Sequence, residues 1–298
     1  MTSTSATPEV AALHIALDAW YRANGRHHLP WRLTRDPYAV LVSEIMLQQT
    51  QVERVIPSYH AWLQRWPTFQ ALAAATPADV ITAWRGLGYN RRALALHAAA
   101  RIIVQDHSGT LPPDPAQLGA LPGVGPYTEA ALRCFVHDEA VPVLDTNIAR
   151  VIGRHRLGAP RPRDVSRGPL ERAARSLLPP TKARDHNLAL MDLGALVCSA
   201  RSPDCERCPI ANACTWRAAG CPPSAQPPRR PSPPFEHTAR FARGRLVDRL
   251  RRGPAHRAEL QAILPARHRP KIDRYLASLE RDGLAFRLEN GHWALPPG

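Results

Sequence analysis

The residues best suited to chemistry in this chain are a run of closely spaced cysteines and two carboxylates set beside apolar neighbours. Cys198, Cys205, Cys208 and Cys214 are spaced Cys-x6-Cys-x2-Cys-x5-Cys, and the only other cysteines are Cys134 and Cys221. Thiolates this close read as a metal or iron–sulfur address rather than a disulfide set. Ligands from one short segment suit a single cubic cluster in which each iron takes one thiolate. A four-cysteine zinc site is the alternative, but it usually pairs two Cys-x2-Cys knuckles across a longer gap. Only Cys205 and Cys208 form such a knuckle. Cys134 reads as buried filler and Cys221 as a free thiol beyond the run.

Glu44 stands among Leu41, Ile45 and Met46 on a segment of helical pattern. A carboxylate there is costly unless protonated or paired, and desolvation raises its pKa, as a general acid near neutral pH requires. A surface glutamate on an amphipathic helix is the generic alternative. Asp145 follows Val143-Leu144 and precedes Thr146-Asn147, a place from which it could simply cap the next helix. Leu121-Pro-Gly-Val-Gly-Pro-Tyr127-Thr128 is a glycine-bearing turn opening into a helix. Pro126 suits a first turn that needs no amide donor, and the free amides of that turn can face a phosphate. The only lysines are Lys182 and Lys271, which leaves little scope for Schiff-base chemistry.

The elements that must position these residues are helices. Apolar residues recur at helical spacing over 10–20, 39–49, 55–66, 78–83, 92–105 and 188–197, with proline and glycine turns between. Within 9–220 no stretch sustains period-two alternation, so the fold class expected is all-α, two helical lobes with a small module after them. Residues 221–234 are proline-rich and read as a semi-rigid linker. Beyond them, helices over 239–251, 257–264 and 270–282 precede an alternating stretch around Asn290-Gly291, a strong hairpin signal. That order suggests a small winged-helix-like module. The expected domains are therefore 1–220, the linker 221–234 and the module 235–298. A net charge of +14 points to a polyanionic partner, nucleic acid first. The arginine bias behind it also fits a GC-rich genome. No apolar run reaches membrane-spanning length, and the start lacks a signal-peptide pattern, so a cytosolic setting is expected.

The turn at 121–128, with the cysteine run beyond it, resembles the helix-hairpin-helix motif of the endonuclease III superfamily of DNA base-excision glycosylases. The resemblance implies two helical lobes around a DNA-binding cleft. It also implies a 4Fe–4S cluster held by Cys198, Cys205, Cys208 and Cys214 in the lobe that holds both chain ends. Pro30-Trp31-Arg32, Asp36-Pro37-Tyr38, the run from Val42 through Glu44 to Val52, and Trp84-Arg-Gly86-Leu87-Gly88-Tyr89 resemble one branch, the A/G-mismatch adenine glycosylase family.

For this branch the resemblance implies a hydrolase that removes adenine mispaired with 8-oxoguanine or guanine. Glu44 would protonate adenine at N7 and Asp145 would stabilise the oxocarbenium ion, with Tyr127 and Asn147 positioning these groups and the water. Gly123, Gly125 and Thr128 would meet DNA, and Trp31 and Arg32 would line the base pocket. Gln49, Leu87 and Tyr89 match positions that fill the gap and probe the opposite base; each has a packing alternative, strongest for Leu87. Bifunctional relatives carry a lysine where this chain has Tyr127, so no strand-cleaving lyase is expected. The implied partner is duplex DNA with a mispaired adenine, bound by a monomer in the bacterial cytoplasm at the nucleoid, with no small-molecule substrate. Arg201 and Arg207, between cluster ligands, would grip phosphate.

Several positions depart from the family pattern. Leu188 replaces a glutamine common in the family, Asn90 replaces a second tyrosine, and residues 235–298 are too few for the Nudix-like domain of many members. The competing readings are a same-scaffold glycosylase for uracil, thymine or hypoxanthine, and a non-enzymatic iron–sulfur DNA-binding regulator.

Overall fold

The computed structural model describes residues 7–227 and 231–297. These are mostly helical, as the absence of period-two patterning over 9–220 leads one to expect. The chain packs as two units that do not follow sequence order: one is drawn from Met1–Asp36 and Pro126–Arg229, the other from Pro37–Gly125 and Arg230–Gly298. Contact thus cuts across the linear division at 220. The two carboxylates of interest fall in different units, Asp145 in the first and Glu44 in the second.

In the second unit, the helix Pro37–Leu47 starts on a proline, which fits a first turn whose amide has no helical partner. Every residue from Tyr38 to Met46 is buried, so the helix runs through the core rather than over it. Trp62, Trp66 and Trp84 stack edge-on around it, with centroids 4.7 and 5.4 Å apart. The Tyr38 hydroxyl donates to the Trp66 carbonyl at 2.7 Å and accepts from Trp62 Nε1 at 3.2 Å, so the buried polar edges of both rings are satisfied.

The same unit contains the carboxyl-terminal helices Ala239–Leu250, Arg257–Ala262 and Ile272–Arg281 and a short antiparallel pair, Phe286–Arg287 with Trp293–Ala294. Ala255 adds a bridge to Trp293. The turn between the strands is the Asn290-Gly291 signal made real: Gly291 has φ 82, and Asn290 Oδ1 accepts from the His292 amide at 3.1 Å. This is the winged-helix-like arrangement read from the sequence. Of the proline-rich stretch, residues 228–230 lie outside the described residues. Part of the remainder is pinned to the first unit through Ser224 on Asp164 and Gln226 on the Arg163 carbonyl, at 2.7 and 2.9 Å.

In the first unit, the helix Ala183–Leu196 packs against both Pro8–Asn24 and Thr146–Leu157. Its Asp192 is fully buried and accepts from both ends of the Arg32 guanidinium at 2.5 and 2.8 Å, and from Arg26. Burial works to raise the Asp192 carboxyl, but the arginines hold it below the ordinary range. Breaking such a pair from one side leaves a buried charge uncompensated.

Two buried histidines make the fold sensitive to acid. Burial, with His14 beside it, pushes His186 down to about 3 from 6.5. Burial, with Arg156 adjacent, pushes His155 down to about 4. In the unfolded chain both take a proton near the ordinary value. Their contribution to stability is therefore complete above 6.5 and drains away as pH falls towards the depressed native values. Thermal unfolding followed from about pH 7 to pH 5 should show a falling midpoint, and His186→Leu should flatten that fall. Identical slopes in variant and parent would exclude His186 as a source.

Candidate functional site

Glu44 is 5% exposed at the middle of a helix whose neighbouring side chains, Leu41, Val42, Ile45 and Met46, are wholly buried. The helix stops at Leu47, and Gln49 two residues on takes a left-handed backbone, φ 56. Its last carbonyls lose their helical partners there. Arg92 supplies replacements. The Arg92 Nη1 group donates to the carbonyls of Ile45, Met46 and Gln48 at 2.8, 3.0 and 2.5 Å. Its Nη2 group donates to the Thr50 hydroxyl and the carbonyls of Leu87 and Gly88 at 3.0, 3.0 and 3.1 Å. Burial pushes this guanidinium down to about 10, so it remains charged at neutral pH.

One cation thus ties the Glu44 helix to the turn from Gly86 to Tyr89. That turn is built on positive φ: 88 at Gly86, 70 at Gly88 and 46 at Tyr89. Such backbone is unremarkable for glycine and costly for tyrosine. Tyr89 is 38% exposed, whereas Leu87 is 3% exposed and packs inside the unit. At the 121–128 turn, Gly123 also has positive φ. A Cβ there would stand 3.1 Å from Ala95 Cβ and 3.3 Å from Ile45 Cδ1, so only glycine lets the turn lie against the Glu44 helix. Gln48 Nε2 donates to the Gly123 carbonyl at 3.2 Å, closing that contact. Gly123 and Gly125 are exposed, but Thr128 is buried and offers its side chain to the core rather than to a surface.

Asp145 is the N-cap of Thr146–Leu157, as the capping alternative allows, and it does more than cap. Its Oδ1 accepts from the Ile148 amide at 2.6 Å and its Oδ2 from Asn147 Nδ2 at 3.0 Å, so the carboxylate plane is fixed. Arg150 Nη2 donates to Asn147 Oδ1 at 2.9 Å, which fixes which way round the Asn147 amide lies. Burial raises the Asp145 carboxyl, opposed by these hydrogen bonds and by the Arg150 charge. The segment leading to Asp145 is held by Asn187, whose Oδ1 accepts from the Val143 amide at 3.0 Å and whose Nδ2 donates to the Val141 carbonyl at 3.1 Å. Tyr127 is half-buried in the first turn of Pro126–His137. Trp31, Arg32 and Leu188 are all buried, and Arg32 spends its guanidinium on Asp192.

The cysteine loop hangs from the same helix. Arg150 Nε donates to the Cys198 carbonyl at 2.7 Å and Nη2 to the Gly194 carbonyl at 2.7 Å. One turn on, Arg154 approaches Cys198 Sγ at 3.3 Å, donates to the Ser199 carbonyl at 2.8 Å and stacks on Trp216 at 4.4 Å. No disulfide involves the six cysteines. Burial and the neighbouring sulfurs raise the Cys205, Cys208 and Cys214 thiols, Cys208 to about 11. Among the described residues, no three His, Cys, Asp or Glu side chains converge closely enough for one metal ion. Cys134 is buried and pushed up to about 12, the filler expected, while Cys221 lies within hydrogen-bonding reach of Cys205. Arg201 and Arg207 are exposed.

The model of the HhH-GPD superfamily of base excision DNA repair proteins matches residues 42–180, and that of the iron–sulfur binding domain of endonuclease III matches 198–214. The adenine DNA glycosylase of Mycobacterium tuberculosis is 45% identical over 93% of this chain and 91% of its own. The chain belongs to the adenine DNA glycosylase family. The Mycolicibacterium smegmatis member is 43% identical over 94% of this chain and 95% of its own. A thermostable thymine-DNA glycosylase shares the fold, with a TM-score of 0.65 and 30% identity over 71% of this chain and 97% of its own.

Membership makes the chain a base-excision DNA glycosylase and assigns the four-cysteine loop a 4Fe–4S cluster. The residues that would hold it are the four cysteines of the matched stretch, Cys198, Cys205, Cys208 and Cys214, and Arg154 donates towards Cys198 Sγ. Among the described residues, no helix is long and apolar enough to cross a membrane. Sequence reasoning missed Arg92, Arg150, Arg154, Asn187 and Asp192. In an arginine-rich chain nothing in spacing separates a structural guanidinium from a surface one. Gly194 carried a usable signal as a glycine inside a helix. A Cβ at Gly194 would lie 2.7 Å from Asn147 Cβ and 3.0 Å from its carbonyl oxygen. Gly194→Ala should therefore displace Asn147, cost about 1–3 kcal/mol of stability, and slow single-turnover base release at least tenfold with the cluster absorbance retained. Unchanged release would show that Asn147 need not hold its place.

Proposed function

We propose that this enzyme removes adenine mispaired with 8-oxoguanine or guanine in duplex DNA, without strand cleavage, acting as a monomer on nucleoid DNA. The observation that carries the reading is Glu44: a carboxylic acid at the centre of a wholly buried apolar helix, in a family whose named members are adenine glycosylases. On this reading Glu44 is the general acid.

With the adenine flipped out of the stack, Glu44 protonates N7 and makes the base a leaving group. The C1′–N9 bond breaks, its electrons passing to the base, and Asp145 stabilises the oxocarbenium ion that forms, as the second carboxylate does in a retaining glycosidase. Water adds at C1′ and gives its proton to Glu44, which the first step left as the carboxylate. Asn147 supports this step by holding Asp145 in one plane, and Tyr127 helps order the water. Tyr127 stands where lyase-active relatives carry lysine, and neither Lys182 nor Lys271 lies on that turn, so no amine attacks the sugar.

Single-turnover base release from duplexes with A·8-oxoguanine, A·G, T·G and U·G tests this directly. Adenine release that survives Glu44→Gln would remove the acid, and release of thymine or uracil in preference to adenine would favour the other-base reading, to which buried Leu188 lends some weight. Nicking without added alkali would remove the monofunctional claim. The raised Asp145 carboxyl also sets a sign for pH. Asp145 acts as the anion, so the rate should fall as pH drops through its native value, beginning above the ordinary carboxylate range. A rate level down to the ordinary value of 3.8 would exclude that role.

A further inference from the structure

The carboxyl-terminal module is docked on the helices that carry the Gly86–Tyr89 turn, within one packed unit. Ile81 is part of the module's own core, with Leu246, Val247, Leu276 and Leu279, and Leu94 packs at its edge. Arg251 donates to the Ile81 carbonyl at 3.0 and 3.1 Å and to Asn90 Oδ1 at 3.0 Å. Asp282 accepts from Arg243 and lies 3.6 Å from Arg91. Asn90, a departure from the family pattern, is thus an acceptor for this module.

Docking brings the start of the helix Ala239–Leu250 over the tip of the turn. Arg240 stacks on the Tyr89 ring at 4.8 Å and donates to its hydroxyl. The same guanidinium lies 4.9 Å from the Phe235 ring, which meets Phe241 edge-on at 5.6 Å. Arg92 approaches Tyr89 as well, at 5.5 Å. An exposed ring on a left-handed backbone has little else to fix its direction. Because the Tyr89 hydroxyl accepts from Arg240, its own hydrogen is turned elsewhere and can be donated to a nucleic-acid acceptor.

We propose that Arg240 is a positioning residue for recognition of the nucleotide opposite the excised adenine. By holding Tyr89 it makes the small carboxyl-terminal module part of the opposite-strand reader, sharpening 8-oxoguanine against guanine. The inference rests on Tyr89 contacting that nucleotide under the proposed function.

The test is single-turnover adenine release by full-length, cluster-loaded protein from A·8-oxoguanine and A·G duplexes, read as the ratio of the two rates. Arg240→Ala should lower that ratio roughly three- to tenfold, the size of a stacked cation and one hydrogen bond, with the unfolding midpoint unchanged. Arg240→Lys should restore part of it, and in a Tyr89→Phe background Arg240→Ala should change the ratio less than it does in the parent. An unchanged ratio, or equal slowing on both duplexes, would overturn the assignment. So would an equal loss of ratio in Arg274→Ala, which removes the same charge from the module's third helix. A parent that releases adenine equally from both duplexes leaves Arg240 no discrimination to set, and overturns it too. A parent that releases none overturns the proposed function itself, a result distinct from a discriminating parent whose Arg240→Ala variant discriminates equally.

Discussion

The hydrogen bonds from the Arg92 guanidinium are the interaction on which the second unit's functional surface depends. A helix that buries a carboxylic acid must end somewhere, and its last carbonyls must find donors or bear the cost of desolvation. Water is the usual donor, but here the helix end is packed against the Gly86–Tyr89 turn. A single arginine serves the carbonyls of both, with Ile45, Met46 and Gln48 on one side and Leu87 and Gly88 on the other. The acid and the exposed tyrosine are therefore held to the same group. Lysine would not serve, because three rotating donors on a point charge cannot span two sets of acceptors as a planar fork does.

The first unit solves a related problem along one helix. Thr146–Leu157 presents Asp145 at its N-terminus, where the helix dipole favours a negative charge, and two arginines further along it clasp the cysteine loop. Asp145, Asn147, Arg150 and the Cys198 carbonyl form a continuous series of hydrogen bonds between 2.7 and 3.0 Å. The cluster loop does not itself supply the proposed catalytic carboxylate, yet any shift of Cys198 would be felt there through rigid partners. A cluster bound by this loop would keep in place the Cys198 carbonyl to which Arg150 donates. The close approach at Gly194 is what permits the series, since any side chain at that position would push the two helices apart at Asn147.

Much of this was legible in the sequence, and what was not shares one cause. Helical periodicity, the cysteine spacing, the glycine turn at 121–128 and the hairpin at Asn290-Gly291 are local signals, written within a few residues of where they act. The carboxylate on an apolar segment was equally plain, because its incongruity is local. Non-local partnerships were invisible. Arg32 with Asp192, Asn187 with Val143, and Arg92 with the Glu44 helix join residues 40 to 160 positions apart. The division of the chain failed to show for the same reason: the proline-rich stretch looks like a boundary, but packing joins residues beyond it to 37–125 and leaves 1–36 with 126–229. Leu87 shows the limit from the other side, since a leucine between two glycines has no pattern to say whether it faces solvent or core.

The arginines show why composition alone overstates the case for a DNA-binding surface. A net charge of +14 implies a polyanionic partner only if the cations face outwards. Arg32, Arg92, Arg150, Arg154, Arg184 and Arg251 instead direct much of their hydrogen bonding to backbone carbonyls or buried carboxylates within the protein. Burial lowers Arg92, Arg150, Arg184 and Arg251 from their ordinary value, the signature of cations removed from water. They do not act as free counter-charges to phosphate. A guanidinium can occupy these places because its weak hydration and five fixed donors let carbonyl dipoles stand in for water. The charge left to steer DNA comes from exposed residues such as Arg201 and Arg207. For such a protein, the salt dependence of binding should count those exposed cations, and fall short of what the formal charge implies, because only phosphates actually neutralised release counterions.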